Sequence, residues 1–255
     1  MARPAASQRG SNKSLLRVAG LPAVSALFAT APARVERLFF DQRLKPHVAA
    51  FCAELARARK PYRLVEADEL ERVAGSVMHG GIVALAQPKP VPILDPAQAA
   101  KAEAWARERK LLLMLDGIGN PHNLGAIVRT AAFFGVPRIV LSDHPAQALP
   151  SDASYRVAEG GLEFVELYRA QRFAQVLARL RKSHRLVAAA AEDGQPLAAL
   201  SKSDKPFALI LGNEERGLTR ATLDACDAIV TIPGAGHVQS LNVAASAAIL
   251  IHALA

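Results

Sequence analysis

From residue 111 onward the chain alternates between short, mostly apolar runs and longer stretches of helical pattern. The apolar runs are LLLML (111–115), RIVL (138–141), LVAAAA (186–191), FALIL (207–211) and AIVTI (228–232). Helical patterns fill about 124–134 and 171–183, and LNVAASAAILIHALA (241–255) closes the chain. Apolar runs that are continuous rather than alternating predict strands buried on both faces, hence a mostly parallel sheet covered by helices. Residues 15–87 have a different rhythm. VERLFF (35–40) and GIVALA (81–86) read as short strands and PHVAAFCAELARAR (46–59) as an amphipathic helix, which makes a small α/β module of its own. Between the two lies QPKPVPILDPAQ (87–98), with four prolines in twelve residues. Proline removes a donor and restricts its neighbour, so this stretch is expected to be a linker that lets the modules move. AAKAEAWARERK (99–110) follows as a short helix. The expected division is a basic arm over 1–14, a small module over 15–87, a linker and short helix over 88–109, and a large module over 110–255. No repeat of fixed period is present.

In open parallel sheets, ligands sit beyond the carboxyl ends of the strands. Three loops in that position are rich in glycine and polar residues. The first, LDGIGNPHNLGAIVRT (115–130), places Asn123 to cap the following helix and Gly135 to end it, and leaves Arg129 as a lone cation among small and apolar residues. The second, LGNEERGL (211–218), has Gly212 and Gly217 for tight backbone and Glu214 either to accept from a ribose or amine or to begin a helix. In the third, IPGAGHVQSLNV (232–243), Ser240 or Asn242 is expected to cap the last helix. GIGNPH is not a dinucleotide-binding fingerprint, because His122 stands where the third glycine belongs. Ser240 has no nucleophile-elbow pattern around it, and His79, His122 and His237 have no metal-ligand spacing.

Composition narrows the partner class. At 51% hydrophobic and 21% charged, the 255 residues are those of an ordinary globular protein. A balance of 31 Lys+Arg against 23 Asp+Glu gives a net charge of +8, which favours polyanions. Arg3, Arg9, Lys13, Arg17 and Arg34 occupy the first 35 residues with no acid among them, and Arg57, Arg59, Lys60 and Arg63 form a second cluster. Such residues could supply salt-dependent phosphate contacts, so the small module is a candidate surface for a polyanion. Cys52 and Cys226 form no CxxC pair. MARPAASQRG lacks the apolar core of a signal peptide and no apolar run reaches membrane-spanning length, so the expectation is a cytoplasmic protein with no membrane partner.

Taken in order, NPHNLGAIVRTA, LGNEERGL and IPGAGHVQSLNVAAS resemble the three motifs of the SpoU/TrmH-type RNA 2'-O-ribose methyltransferases of the SPOUT superfamily. The segment from 15 to 87 resembles the ribosomal-protein-like substrate-binding domain that often precedes them. The resemblance implies an α/β knot, a deep trefoil in a mostly parallel sheet, which general topology rules would not predict. It implies S-adenosylmethionine as cofactor, no metal, rRNA or tRNA rather than DNA as substrate, and a homodimer packed through the knotted modules. The family's cofactor-contacting positions fall on Gly212, Ile232 and Leu241, with Asn213, Glu214 and Pro233 beside them. Its catalytic arginine falls on Arg129, its motif-one asparagine on Asn123, and its motif-three serine and asparagine on Ser240 and Asn242. One departure is Gly234–Ala235, where a methionine and a variable residue are more usual.

The chemistry so implied is attack of a ribose 2'-hydroxyl on the methyl group of a sulfonium. The protein has to align the atoms and help remove one proton. Guanidinium groups stay protonated in proteins, so Arg129 is expected to grip a phosphate and stabilise the forming alkoxide, with general-base action as the alternative. Two other classes are compatible with the fold: a catalytically silent RNA-binding protein and a methyltransferase acting on a base nitrogen.

Overall fold

A computed structural model of the chain describes residues 15–97, 99–200 and 202–255; the arm expected over 1–14 lies outside them. The first module runs β1 (Leu16–Ala19), α1 (Leu21–Thr30), β2 (Val35–Phe40), α2 (Ala49–Arg57), β3 (Tyr62–Leu64), α3 (Ala67–Ala74) and β4 (Ile82–Ala86). Its four-stranded sheet has the order β1-β4-β2-β3, antiparallel except for the β2–β3 pair. Both strands expected from the sequence, 35–40 and 81–86, are there, as is the amphipathic helix near 50.

The second module continues with β5 (Ile93–Leu94), α4 (Ala99–Arg107), β6 (Leu112–Asp116), α5 (Pro121–Phe133), β7 (Arg138–Leu141), α6 (Asp152–Ala158), α7 (Gly161–Phe164), β8 (Glu166–Ala170), α8 (Phe173–Leu180), β9 (Arg185–Ala189), β10 (Gln195–Pro196), β11 (Phe207–Gly212), α9 (Arg220–Asp224), β12 (Ala228–Thr231) and α10 (Val243–Leu254). The eight strands form one sheet, β10-β12-β9-β11-β6-β7-β8-β5, in which every pairing is parallel. Alternation divides the central strands between two cores. Leu113 and Leu115 of β6 join Leu209 and Leu211 of β11 on one face, while Leu112 and Met114 join Ala208 and Ile210 on the other. This two-faced burial is why β6 and β11 read as unbroken apolar runs. β8 escapes that reading because its residues alternate between buried and exposed near the edge of the sheet.

The proline-rich stretch is not a free linker. Ile93 and Leu94 pair with Arg169 and Ala170, so the stretch supplies the edge strand of the large sheet. The Lys89 ammonium donates to the carbonyls of Leu162, Glu163 and Val165 at 2.9, 3.0 and 3.2 Å. Burial lowers the Lys89 pKa, against an opposing pull from Glu163. The modules meet across a buried ion pair, Arg34 Nη1 to Glu163 Oε2 at 2.7 Å, with side chains 15% and 1% exposed. Arg34 also donates to the Gln87 carbonyl and to the Tyr155 hydroxyl. Burial, reinforced by Glu163, pushes the Tyr155 phenol up to about 12. One apolar core runs through this junction, from Val18, Leu27 and Ala84 to Ile127, Tyr155 and Leu162. The expectation of independent module movement is therefore corrected: prolines at 88, 90, 92 and 96 shape a docked strap.

The same contacts revise the electrostatic expectation for the small module. Arg34 is spent on Glu163, Lys60 donates to the Ala33 and Val35 carbonyls, Arg17 pairs with Asp152 and Arg63 with Glu69. Four of the six basic residues expected at phosphates within 15–87 thus serve the protein's own structure.

Candidate active site

β9, β11 and β12 end side by side, and the segments that follow them enclose a cavity of about 340 Å³. Its floor is apolar, from Leu211, Val230, Ile232, Val243 and Leu250; Glu192, Glu214 and Glu215 bring carboxylates to it, and Ser240 and Ser246 bring hydroxyls. This is the position beyond the strand ends that an open parallel sheet offers a ligand, and the size suits a small molecule.

Of the cofactor positions expected from sequence, Gly212, Asn213, Glu214, Ile232 and Leu241 line this cavity, together with Ser240. Pro233 is exposed in the adjoining loop and is not among the lining residues. Each strand end is shaped locally. Residues 213–217 fold back on themselves, with Asn213 and Gly217 exchanging both backbone hydrogen bonds and Gly217 at φ 67°. A Cβ on Gly212 would stand 2.7 Å from the Gly217 carbonyl carbon and the Leu218 nitrogen, so this glycine is required by the loop's own backbone. Asn213 then pins the loop, its Nδ2 donating to the Gly117 carbonyl at 2.8 Å and its Oδ1 accepting from Glu215 and Arg216.

Three residues far apart in the chain join the loops. Asn123 Nδ2 donates to Glu214 Oε1 at 2.5 Å, and Asn242 Nδ2 donates to Asn123 Oδ1 at 3.2 Å. Asn242 Oδ1 accepts from Ala244 N at 2.8 Å and so caps α10, as expected. Asn123 does not cap α5. Asn120 does, accepting from His122 N, with Pro121 in the first turn; Asn123 lies inside the helix with its amide free to bridge the loops. Gly135, at φ 71°, follows the end of α5 as expected.

Arg129 does not share this cluster. Six residues along a helix turn it about 120° away from Asn123, and it is not among the cavity-lining residues. Its Nη2 stands 2.9 Å from Glu159 Oε2, with the side chains 56% and 49% exposed. Thus Asn123, Glu214, Ser240 and Asn242 are gathered at the lip of the cavity, and Arg129 stands apart, further along the helix that carries Asn123. Sequence reasoning missed Ala189–Glu192, Glu215, Arg216, Gln239 and Ser246 as lining residues. The only signal for the first group was the abrupt end of an alanine run at Glu192–Asp193, directly after a strand.

Among the described residues no cluster of His, Cys, Asp and Glu could hold a metal ion, and no helix is long and apolar enough to cross a membrane.

Comparison with known proteins agrees with this geometry. Residues 110–252 match the SpoU rRNA Methylase family, and residues 17–92 match the RNA 2'-O ribose methyltransferase substrate binding family. The chain is 33% identical over 239 residues to a protein of Escherichia coli O157:H7 named uncharacterized tRNA/rRNA methyltransferase YfiF, covering 92% of this chain and 66% of that one. It is 32% identical over 240 residues to the 23S rRNA (guanosine-2'-O-)-methyltransferase RlmB of Pasteurella multocida, covering 91% and 94%. An AdoMet-bound rRNA methyltransferase from Sinorhizobium meliloti shares the fold with a TM-score of 0.76 at 20% identity, over 94% of this chain and 86% of that one.

Proposed function

The chain belongs to the SpoU rRNA methylase family, and from that premise we propose that it transfers a methyl group from S-adenosylmethionine to a ribose 2'-hydroxyl of rRNA or tRNA. The observation that carries this reading is the joining of Asn123, Glu214 and Asn242 at the mouth of a cavity beyond the strand ends.

The cavity suits the cofactor. Its apolar floor matches a purine, and Glu192, Glu214 and Glu215 match a ligand bearing an ammonium and a sulfonium. Gly212, Asn213, Glu214, Ile232 and Leu241 would hold it, with Pro233 supporting the loop. When bound, it supplies an electrophilic methyl group and its own leaving group. The rest falls to this chain. Asn123 and Asn242 keep the three loops in register, and with Ser240 they orient the ribose hydroxyl. Arg129 grips the neighbouring phosphate and stabilises the forming alkoxide. Threading of 232–255 into the family's trefoil knot belongs to this proposal, as does a cytoplasmic location beside the RNA substrate.

The proposal includes a homodimer. α5 packs against α10, the Phe134 and His252 rings lie 5.3 Å apart, and next to them Phe133 is 82% exposed and Ile249 is exposed as well. An apolar patch of this kind marks an interface, here with a second copy. Sedimentation of the wild-type chain as a dimer and of Phe133→Glu as a monomer is the expected result; a monomeric wild type at micromolar concentration removes this part.

The activity is tested by incubating the protein with tritiated S-adenosylmethionine and total RNA from a strain lacking its gene, then digesting the RNA and identifying labelled nucleosides by mass spectrometry. A 2'-O-methylated nucleoside is expected. A base-methylated product would move the reading to base chemistry, and no transfer would favour a silent RNA-binding protein.

A further inference from the structure

Glu159 ends α6 in the left-handed conformation, at φ 44° and ψ 44°. Glycine or asparagine is the ordinary occupant of such a position, and a glutamate there strains the backbone. Two glycines follow it. A Cβ on Gly160 would lie 2.8 Å from the Ala26 Cβ and 3.1 Å from the Pro22 carbonyl, both on α1 of the small module. A Cβ on Gly161 would lie 3.1 Å from the Cα of Arg129 itself and 3.2 Å from the Val128 carbonyl. Two residues further on, Glu163 takes the buried bond from Arg34. The corner 159–161 is therefore clasped between the small module and the very turn of α5 that carries Arg129.

Its one outward-facing side chain, Glu159, meets Arg129 as an ion pair, Nη2 to Oε2 at 2.9 Å. An exposed ion pair of this sort adds little to stability, so stability does not account for a glutamate in a strained position. A guanidinium carries five donors, more than one carboxylate can take, so the pair is compatible with a phosphate on the same group.

We propose that Glu159 is a positioning residue. Its carboxylate holds the Arg129 guanidinium in the orientation the substrate phosphate requires, and the clasped corner makes that orientation depend on how the small module is seated. This rests on the reading of Arg129 given under the proposed function.

The test uses the full-length protein, tritiated S-adenosylmethionine and total RNA from the deletion strain. Glu159→Gly relieves the backbone and removes the carboxylate. It is expected to melt at a higher temperature than wild type while kcat falls roughly 5- to 20-fold, with KM for RNA and cofactor within about twofold. Glu159→Gln, which keeps size and an acceptor without the charge, is expected to lose less. Adding Glu159→Gly to Arg129→Ala should cost no further turnover. A wild-type kcat in Glu159→Gly, or a loss confined to KM, overturns the inference while Arg129→Ala remains inactive. If Arg129→Ala itself turns over at the wild-type rate, the catalytic reading of Arg129 falls first and takes this inference with it.

Discussion

The junction between the modules and the lip of the cavity are both held by polar contacts between distant parts of the chain, yet they are built in opposite ways. At the junction, Arg34, Glu163, Tyr155 and Lys89 are withdrawn from water and bonded to one another or to carbonyls. At the lip, Asn123 is half-buried and Glu214 and Asn242 are exposed, and the loops are joined by scattered side-chain bonds, Asn123 to Glu214, Asn242 to Asn123 and Asn213 to the Gly117 carbonyl. Buried charges are costly to unpair, whereas exposed amides exchange one partner for water at little cost. The seat of the small module is thus stiff and the mouth of the site soft. A methyltransferase that has to admit a cofactor and a nucleotide needs the second property, and one that measures a distance on a folded RNA benefits from the first.

The largest expected effect lies at the stiff end. Arg34→Ala leaves the Glu163 carboxylate buried without its hydrogen-bonded cation, and Glu163 Oε1 already lacks a partner. The loss should be about 3–5 kcal/mol in denaturant unfolding. Arg34→Met combined with Glu163→Gln should recover most of it. A single mutant as stable as wild type would remove the distinction drawn between the two regions.

Arg129→Ala comes next and reads activity rather than stability. Turnover should fall roughly 10²- to 10³-fold, the scale of losing one donor to a developing oxyanion. The melting temperature should hardly move, because the pair with Glu159 is exposed.

The third effect probes a buried group that has no charged partner. His184 lies at the amino end of β9, opposite the cavity, with Nε2 unpartnered and Nδ1 3.0 Å from the Ser183 hydroxyl. Burial lowers its pKa to about 4. The unfolded chain takes up the proton first, so the stabilisation is complete above about pH 6.5 and is lost as pH falls towards 4. Roughly 2–3 kcal/mol should disappear across that window. Unfolding curves of wild type and His184→Leu between pH 7 and 4 check this, the variant showing the smaller dependence.

The smallest effect is at the soft end. Asn242→Ala removes the α10 cap and the bond to Asn123 together, at about 1 kcal/mol in thermal unfolding. A cost several times larger would mean that the lip is as rigid as the junction.

What the sequence revealed follows the same division. β6, β7, β9 and β11 were readable because strands buried on both faces leave continuous apolar runs, and β12 because its half-buried residues are largely apolar. The lip was readable because turns and caps need particular residues: Gly212, Gly217 and Asn242 sit where their backbone roles demand. Asn123 has the residue type of a cap, but Asn120, three residues earlier and directly before Pro121, takes that place. The junction left no trace. Arg34, Lys89 and Glu163 have the spacing of solvated charges, and their pairing across 129 and 74 residues depends on tertiary packing alone. The prolines of 87–98 signalled a break in helix and sheet, but proline is also tolerated where a strand runs along a sheet edge, and that is where the chain takes it.

The large sheet ends at both sides in strands of two residues, β5 and β10, and the second contains Pro196. An edge so short, and on one side lacking a donor, offers no template on which another chain could extend the sheet. Growth of the sheet from molecule to molecule, the usual hazard of a protein with so much parallel strand, is closed off at both margins. A crowded, partly folded population therefore has one fewer route to aggregation.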